Sequence, residues 1–138
     1  MERSEIIDFV RKSPTSHMAT IEGGQPRVRA MQTAKISEEG LTFCTGTHKP
    51  VCQQLLADPA VELSYWNPKA GIQIRLRGKM EHLDSLELKK EIVETTFTFL
   101  KPVVEQHGWE SLALFRLSGG EYRSWCSTDG GSTESGTF

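Results

Sequence analysis

The chain has 138 residues, of which 37% are hydrophobic and 25% charged, and its formal net charge is −2. This length suffices for one domain with a single core, and this balance is typical of a water-soluble globular protein. The acidic net charge argues against nucleic-acid binding, and no apolar run reaches the length of a membrane span. We therefore expect a cytoplasmic protein without nucleic-acid or membrane partners. Three cysteines and four histidines without ligand spacing predict neither a disulfide framework nor a metal site.

Apolar periodicity and turn residues place the elements along the chain. Helices are predicted at residues 4–12, 51–57 and about 85–97, the first capped by Ser4 and the last by a capping box at residues 84–87. Strands are predicted at residues 16–21, 26–35, 41–45, 61–66, 72–83, 112–117 and 121–126. Because hairpins link most of these strands, we expect an α+β fold built on an antiparallel barrel. Residues 1–126 are predicted to form this single domain, and the Ser/Thr/Gly-rich residues 127–138 a disordered tail.

The loop at residues 45–50 (TGTHKP) joins a predicted strand to a predicted helix. Hydroxyls, a glycine, backbone N–H groups and a lysine at a helix N-terminus suit a phosphate dianion. Residues 24–80 hold eight Lys or Arg against four Asp or Glu, so positive charge concentrates around this loop. Thr45, Thr47 and Lys49 are therefore candidate phosphate ligands. The alternative is an ordinary helix cap at Thr47 beside a solvated lysine, and the spacing of a Walker loop is absent.

Further candidates lie on predicted strands. The alternation of a strand places Arg27, Arg29 and Met31 on one face. Two arginines there either face solvent or clamp a phosphate or the carbonyls of a heterocycle, since guanidinium donates in two directions. Gln73 and Arg75 likewise share a face, which is either solvated or part of a site. Trp125 ends a strand, as core and rim aromatics often do, or stacks against a flat cofactor.

Three blocks in this order resemble the pyridoxamine 5′-phosphate oxidase-like family of flavin-binding split barrels. They are QPRVRAM at residues 25–31, FCTGTHKPV at 43–51 and QIRLRGKME at 73–81, the last similar to the family's Q-V-R-x-x-G-x-x-E strand. The resemblance covers residues 5–125. It implies a six-stranded split barrel, a homodimer and FMN in a cleft between the subunits.

The resemblance also implies roles for the candidate residues. The first block matches the strand along the flavin ring, which makes Arg27, Val28, Arg29 and Met31 ring or phosphate contacts. The second matches the phosphate loop with Thr45, Thr47 and Lys49. Gln73 of the third would reach the flavin, from the same or the partner subunit, with Arg75 and Trp125 as further cofactor contacts.

The sequence departs from true pyridoxamine phosphate oxidases at its end. They carry an R-L-H-D-R-like segment that helps to hold the substrate phosphate, whereas here the last predicted strand leads into STDGG at residues 127–131. The chain is more similar to the short general stress or uncharacterised flavoproteins of the family than to enzymes that produce pyridoxal phosphate. The resemblance implies an FMN-dependent oxidoreductase for a small molecule, with a nicotinamide nucleotide or oxygen as redox partner. The alternatives are a non-catalytic flavin-binding module and a relative that binds deazaflavin or haem.

Overall fold

The computed structural model describes all 138 residues and confirms the predicted α+β class with antiparallel sheets. The helices are α1 (Arg3–Lys12), α2 (Pro50–Ala57), α3 (Leu86–Thr95) and α4 (Lys101–His107). The strands are β1 (Thr15–Glu22), β2 (Gln25–Gln32), β3 (Lys35–Ser37), β4 (Gly40–Gly46), β5 (Ala60–Asn67), β6 (Ile72–Lys79), β7 (Glu81–Leu83), β8 (Leu112–Leu117), β9 (Glu121–Cys126) and β10 (Ser132–Thr137). No helix is long and apolar enough to cross a membrane.

Two antiparallel sheets enclose the main core. The larger sheet has the strand order β10-β9-β6-β5-β1-β2, and the smaller one has the order β3-β4-β8-β7. Side chains from both sheets, from α1 and from α2 meet in one cluster of 20 buried residues. A second cluster of seven packs α3 against the other face of the smaller sheet. Strand β4 is therefore buried on both faces, which makes it a rigid base for the loop that follows it.

Two predicted strands are each divided between the sheets. Residues 72–83 form β6 in the larger sheet and β7 in the smaller one, and the division falls at Met80, whose N–H bonds to the Pro59 carbonyl at 2.8 Å. Residues 26–35 likewise divide into β2 and β3, at Thr33 and Ala34. The prediction of two continuous strands is therefore wrong. The sequence did not show the two breaks because Met80 and Ala34 stay buried at the corners, so that the apolar pattern continues across them.

The helix starts also differ from prediction in detail. The N-cap of α1 is Glu2, in a capping box with Glu5, and not Ser4. The N-cap of α3 is Ser85, whose hydroxyl accepts a hydrogen bond from the Leu88 N–H at 3.1 Å. Helix α4 was not predicted, because its seven residues, about two turns, carry too few apolar positions for a periodic signal.

The C-terminal segment is ordered, in contrast to the predicted disordered tail. Strand β10 pairs with β9 over six residues. Phe138 is 6% exposed, lies in the main core and exchanges two backbone hydrogen bonds with Gly120. Composition gave no sign of this arrangement, because backbone pairing needs no apolar side chains and one terminal phenylalanine supplies the anchor.

Candidate functional site

Strand β2 forms one edge of the larger sheet and pairs only with β1. Arg27, Arg29 and Met31 share one face, as the alternation predicted, and the register, which places Arg29 opposite the buried Met18, shows that this face points inward. Val28 lies on the outward face and is 65% exposed, although it is apolar. An edge strand with free backbone groups and an uncovered valine is open to a flat apolar ligand or a further chain.

Arg29 lies in a polar cluster between β1, β2 and α2, which we call the Arg29 cluster and which consists of Thr20, Glu22, Arg29 and Gln54. Its Nη1 donates to Thr20 Oγ1 at 2.7 Å and to the Met18 carbonyl at 3.2 Å, and its Nη2 donates to Gln54 Oε1 at 2.5 Å. Burial lowers the pKa of Arg29, and the nearby Glu22 carboxylate raises it. The guanidinium is thus held in one orientation while the residue stays partly exposed.

Arg27 is held more loosely. Its guanidinium pairs with Glu22 at 3.2 Å, and both side chains are 51% exposed. An ion pair this open to water contributes little to stability. Arg27 is therefore free to exchange Glu22 for another anion at small cost.

The loop between β4 and α2 offers donors that the protein itself does not use. Thr47 is fixed through its backbone, because its N–H bonds to the Ser111 carbonyl at 2.8 Å and its carbonyl accepts from Gln53 at 3.0 Å. Its hydroxyl, by contrast, has no protein partner, and the exposed Lys49 ammonium has neither a hydrogen bond nor an ion pair. Thr45 lies at the buried end of β4, directly before this loop.

The N-terminus of α2 carries an uncompensated partial positive charge. Its N-cap is Lys49 and not Thr47, which was the cap in the alternative interpretation of the loop; no side chain caps it, and its first turn contains no acidic residue. Pro50 has no N–H and the Cys52 N–H bonds to the Lys49 carbonyl at 3.1 Å, so the Val51 N–H and the helix dipole are what favour an anion there. A Cβ at Gly46 would lie 2.7 Å from the ring of the exposed His48, which would then have to turn away from the loop.

The other predicted residues lie on the outward face of the larger sheet. Gln73 stands between Trp66 on β5 and Trp125 on β9, whose ring centroids are 6.3 Å apart. Its amide donates to Ser64 at 3.2 Å. Arg75 lies next on the same face, 3.5 Å from Glu62. The two tryptophans are exposed by 44% and 41%, an unusual degree for side chains of this size.

The structure thus brings the ten predicted residues into two groups. The first group surrounds β2 and the start of α2, and consists of Arg27, Val28, Arg29, Met31, Thr45, Thr47 and Lys49. The second group is Gln73, Arg75 and Trp125 on β6 and β9. Strands β5 and β1 separate β6 from β2, and three inter-strand steps of about 4.8 Å put the groups ~14 Å apart.

Sequence reasoning missed Thr20, Gln54 and Trp66 as members of these groups. A signal for Gln54 was available, because it lies three residues after Val51 and one before Leu55, on the apolar side of α2. A polar residue in such a stripe needs partners, and Gln54 finds them in the Arg29 cluster. Thr20 similarly continues the buried alternation of Ser16 and Met18 on β1.

Two packed antiparallel sheets with a helix entering beside the β2 edge define a split β-barrel, and comparison with known proteins agrees. The sequence model described as pyridoxamine 5′-phosphate oxidase matches residues 3–126. The chain therefore belongs to the pyridoxamine 5′-phosphate oxidase family, as the three sequence blocks indicated.

The individual relatives match this chain at identities between 14% and 31%. The pyridoxine/pyridoxamine 5′-phosphate oxidase of Pseudomonas putida is 31% identical over 71 residues, which are 51% of this chain and 33% of that protein. The match thus spans about a third of the length of this curated relative. A NimC/NimA family protein from Clostridium acetobutylicum superposes with a TM-score of 0.78 at 25% identity, covering 98% of this chain and 92% of that one. A pyridoxamine 5′-phosphate oxidase-related, FMN-binding protein from Nostoc punctiforme gives 0.64 at 14% identity, with 99% and 96% covered.

Proposed function

We propose that this protein binds FMN beside β2 and α2 and uses it as the redox centre of a small-molecule oxidoreductase. The observation that carries the proposal is the uncompensated start of α2, where the Thr47 hydroxyl and the Lys49 ammonium lack protein partners. Family membership supports it, and the neighbour from Nostoc punctiforme is described as FMN-binding.

The residues of the first group fit the parts of the cofactor. The phosphate needs donors and positive charge, which Thr45, Thr47, Lys49 and the fixed guanidinium of Arg29 offer. The ring needs an apolar surface and hydrogen-bond donors along its edge. The exposed Val28 and the free edge of β2 supply these.

The second group completes the site in the proposed homodimer. Within one chain the two groups lie ~14 Å apart along the sheet. Helix α2 packs on the inward face of the sheet whereas Gln73, Arg75 and Trp125 lie on its outward face, so a flavin against the α2 loop would not reach the second group. A two-fold axis would instead bring Gln73, Arg75 and Trp125 of one subunit to the first group of the other. The exposed tryptophan pair gives that interface an apolar centre.

The chemistry proposed for the site comes from the flavin, which supplies electron or hydride transfer when bound. The protein's own residues bind the phosphate, orient the ring and exclude water from its face. The residues that follow β9, STDGG at 127–131, do not match the segment that helps to hold substrate phosphate in true pyridoxamine phosphate oxidases, which supports a substrate other than pyridoxamine phosphate. The redox partner is proposed to be a nicotinamide nucleotide or oxygen.

Titration of the purified protein with FMN tests the proposal. We expect flavin absorption, quenched flavin fluorescence and a higher melting temperature, with weaker binding of riboflavin, because much of the site serves the phosphate. Unchanged fluorescence and melting at micromolar FMN would exclude a flavin site, and a Soret band in the isolated protein would favour haem. NADPH oxidation under air by the FMN complex then separates an enzyme from a flavin carrier.

A further inference from the structure

Gln54 is the least expected polar side chain of the Arg29 cluster. It is 5% exposed and lies between the buried Val51 and Leu55 on the core side of α2, where an apolar residue would be ordinary. A buried amide destabilises a protein unless its hydrogen bonds are made. All of the hydrogen bonds that Gln54 makes through its side chain go to members of the cluster.

The Gln54 carbonyl oxygen fixes the guanidinium plane. It accepts from Arg29 Nη2 at 2.5 Å and from Thr20 Oγ1 at 2.6 Å, while Thr20 Oγ1 accepts from Arg29 Nη1 at 2.7 Å. The guanidinium of Arg29 is therefore held at both Nη atoms by two acceptors, Thr20 Oγ1 and Gln54 Oε1, which are hydrogen-bonded to each other. Its Nε–H has no protein acceptor, so this edge remains available to an oxyanion.

The Gln54 amide nitrogen has a second effect. It donates to Glu22 Oε2 at 3.2 Å, while Arg27 occupies the other oxygen of that carboxylate. Glu22 is close enough to raise the pKa of Arg29, yet the two side chains form no ion pair. The amide thus lies between a cation and a carboxylate that would otherwise neutralise each other.

We propose that Gln54 is a positioning residue that orients Arg29 and separates it from Glu22, so that the guanidinium serves the cofactor phosphate. The inference rests on the proposed function and deepens it. This role requires the amide of Gln54. A leucine at this position would offer no acceptor to Arg29, and a glutamate would itself form an ion pair with Arg29.

The test compares FMN and riboflavin affinity in Gln54→Leu. We expect FMN affinity to fall about tenfold and riboflavin affinity to change less than about twofold, because only FMN carries the phosphate. Gln54→Glu keeps the shape of the side chain and should also lose the preference for FMN over riboflavin. This variant provides the test if Gln54→Leu fails to fold. Ser85→Ala, which removes the remote cap of α3, is the control for general destabilisation and should leave the FMN-to-riboflavin ratio unchanged.

A double-mutant cycle tests whether Gln54 affects FMN binding through Arg29. In an Arg29→Ala background, Gln54→Leu should cause no further loss of FMN preference, because its effect passes through Arg29. Equal losses of FMN and riboflavin, or an undiminished loss without Arg29, would overturn the positioning role. A wild-type protein that binds neither flavin would instead overturn the proposed function, and a wild-type protein that binds both equally would show that phosphate is not recognised.

Discussion

Lys49 and Arg29 are both cations beside α2, but the protein holds them differently. Arg29 is bonded to Met18, Thr20 and Gln54, whereas the Lys49 side chain has no partner and extends into solvent. Ordering a free lysine costs up to about 2 kcal/mol of side-chain entropy, which the orientation of Arg29 avoids. Of the two proposed phosphate contacts, Arg29 is therefore the preorganised one and Lys49 the adaptable one.

Removal of the lysine tests its part in phosphate binding. We expect Lys49→Ala to weaken FMN binding about tenfold to a hundredfold, as for the loss of one charge-assisted contact of ~1.5–3 kcal/mol. Arg27→Ala should weaken FMN binding by a similar factor, because its exposed ion pair with Glu22 is exchanged for the phosphate at small cost. Fluorescence titration with FMN and with riboflavin measures both effects, and circular dichroism checks folding.

Arg77→Ala is the matched control for these variants. Arg77 lies on the outward face beyond Gln73 and Arg75 and pairs with Glu121. Similar small losses in all three variants would mean that the cations near α2 form only a solvated surface. The phosphate role of residues 45–49 would then have to be abandoned.

At the scale of elements, the sequence predicted correctly the features that depend on neighbouring residues. The bounds of β8 and β9 agree with prediction, because clear alternation flanks the turn at Gly119 and Gly120. The common face of Arg27, Arg29 and Met31 followed from the same alternation. The corner at Met80, the pairing of β10 and the contact between Gln54 and Arg29 depend on residues far apart in sequence, which no single segment reveals.

The β8–β9 turn gives an element-scale test, because it packs tightly on β6. Gly120 has a φ of +149°, and a Cβ there would lie 2.0 Å from the Arg77 carbonyl oxygen. We expect Gly120→Ala to lower the free energy of unfolding by about 1–3 kcal/mol from this overlap, in addition to about 1 kcal/mol for the positive φ. Urea denaturation measures the change.

Gly24→Ala separates the cost of the positive φ from the cost of the steric overlap. Gly24 also has a positive φ, of +82°, but no atom lies within 4 Å of its would-be Cβ. This variant should therefore show only the conformational cost of about 1 kcal/mol. If both variants lose the same stability, the close approach between the turn and β6 contributes nothing.

At the scale of the whole molecule, three of the six large apolar side chains that are exposed share one face of the larger sheet. Val28, Trp66 and Trp125 lie on its outward face with exposures of 65%, 44% and 41%. We expect light scattering at micromolar concentration to give twice the 15.5 kDa mass of the chain. Trp66→Glu should shift the mass toward the monomer, because it places a charge at the proposed interface.

Phe99→Glu is the matched control for this substitution. Phe99 is 67% exposed but lies between α3 and α4, away from the outward face of the larger sheet, so its replacement should leave the dimer intact. A wild-type mass of one chain would contradict the dimer and remove the reason to assign Gln73 to a shared site.

The free edge of β2 has a consequence for the chain in the absence of the proposed flavin. An open edge strand is a template on which further copies can add by strand pairing, the first step toward insoluble aggregates. If two β2 strands met antiparallel about Val28, Arg27 of each copy would oppose Arg29 of the other. Like charges set directly opposite each other disfavour such pairing. We therefore expect the two arginines to disfavour aggregation of the flavin-free chain, so that a variant in which threonine replaces both precipitates more readily than the wild type in flavin-starved cells.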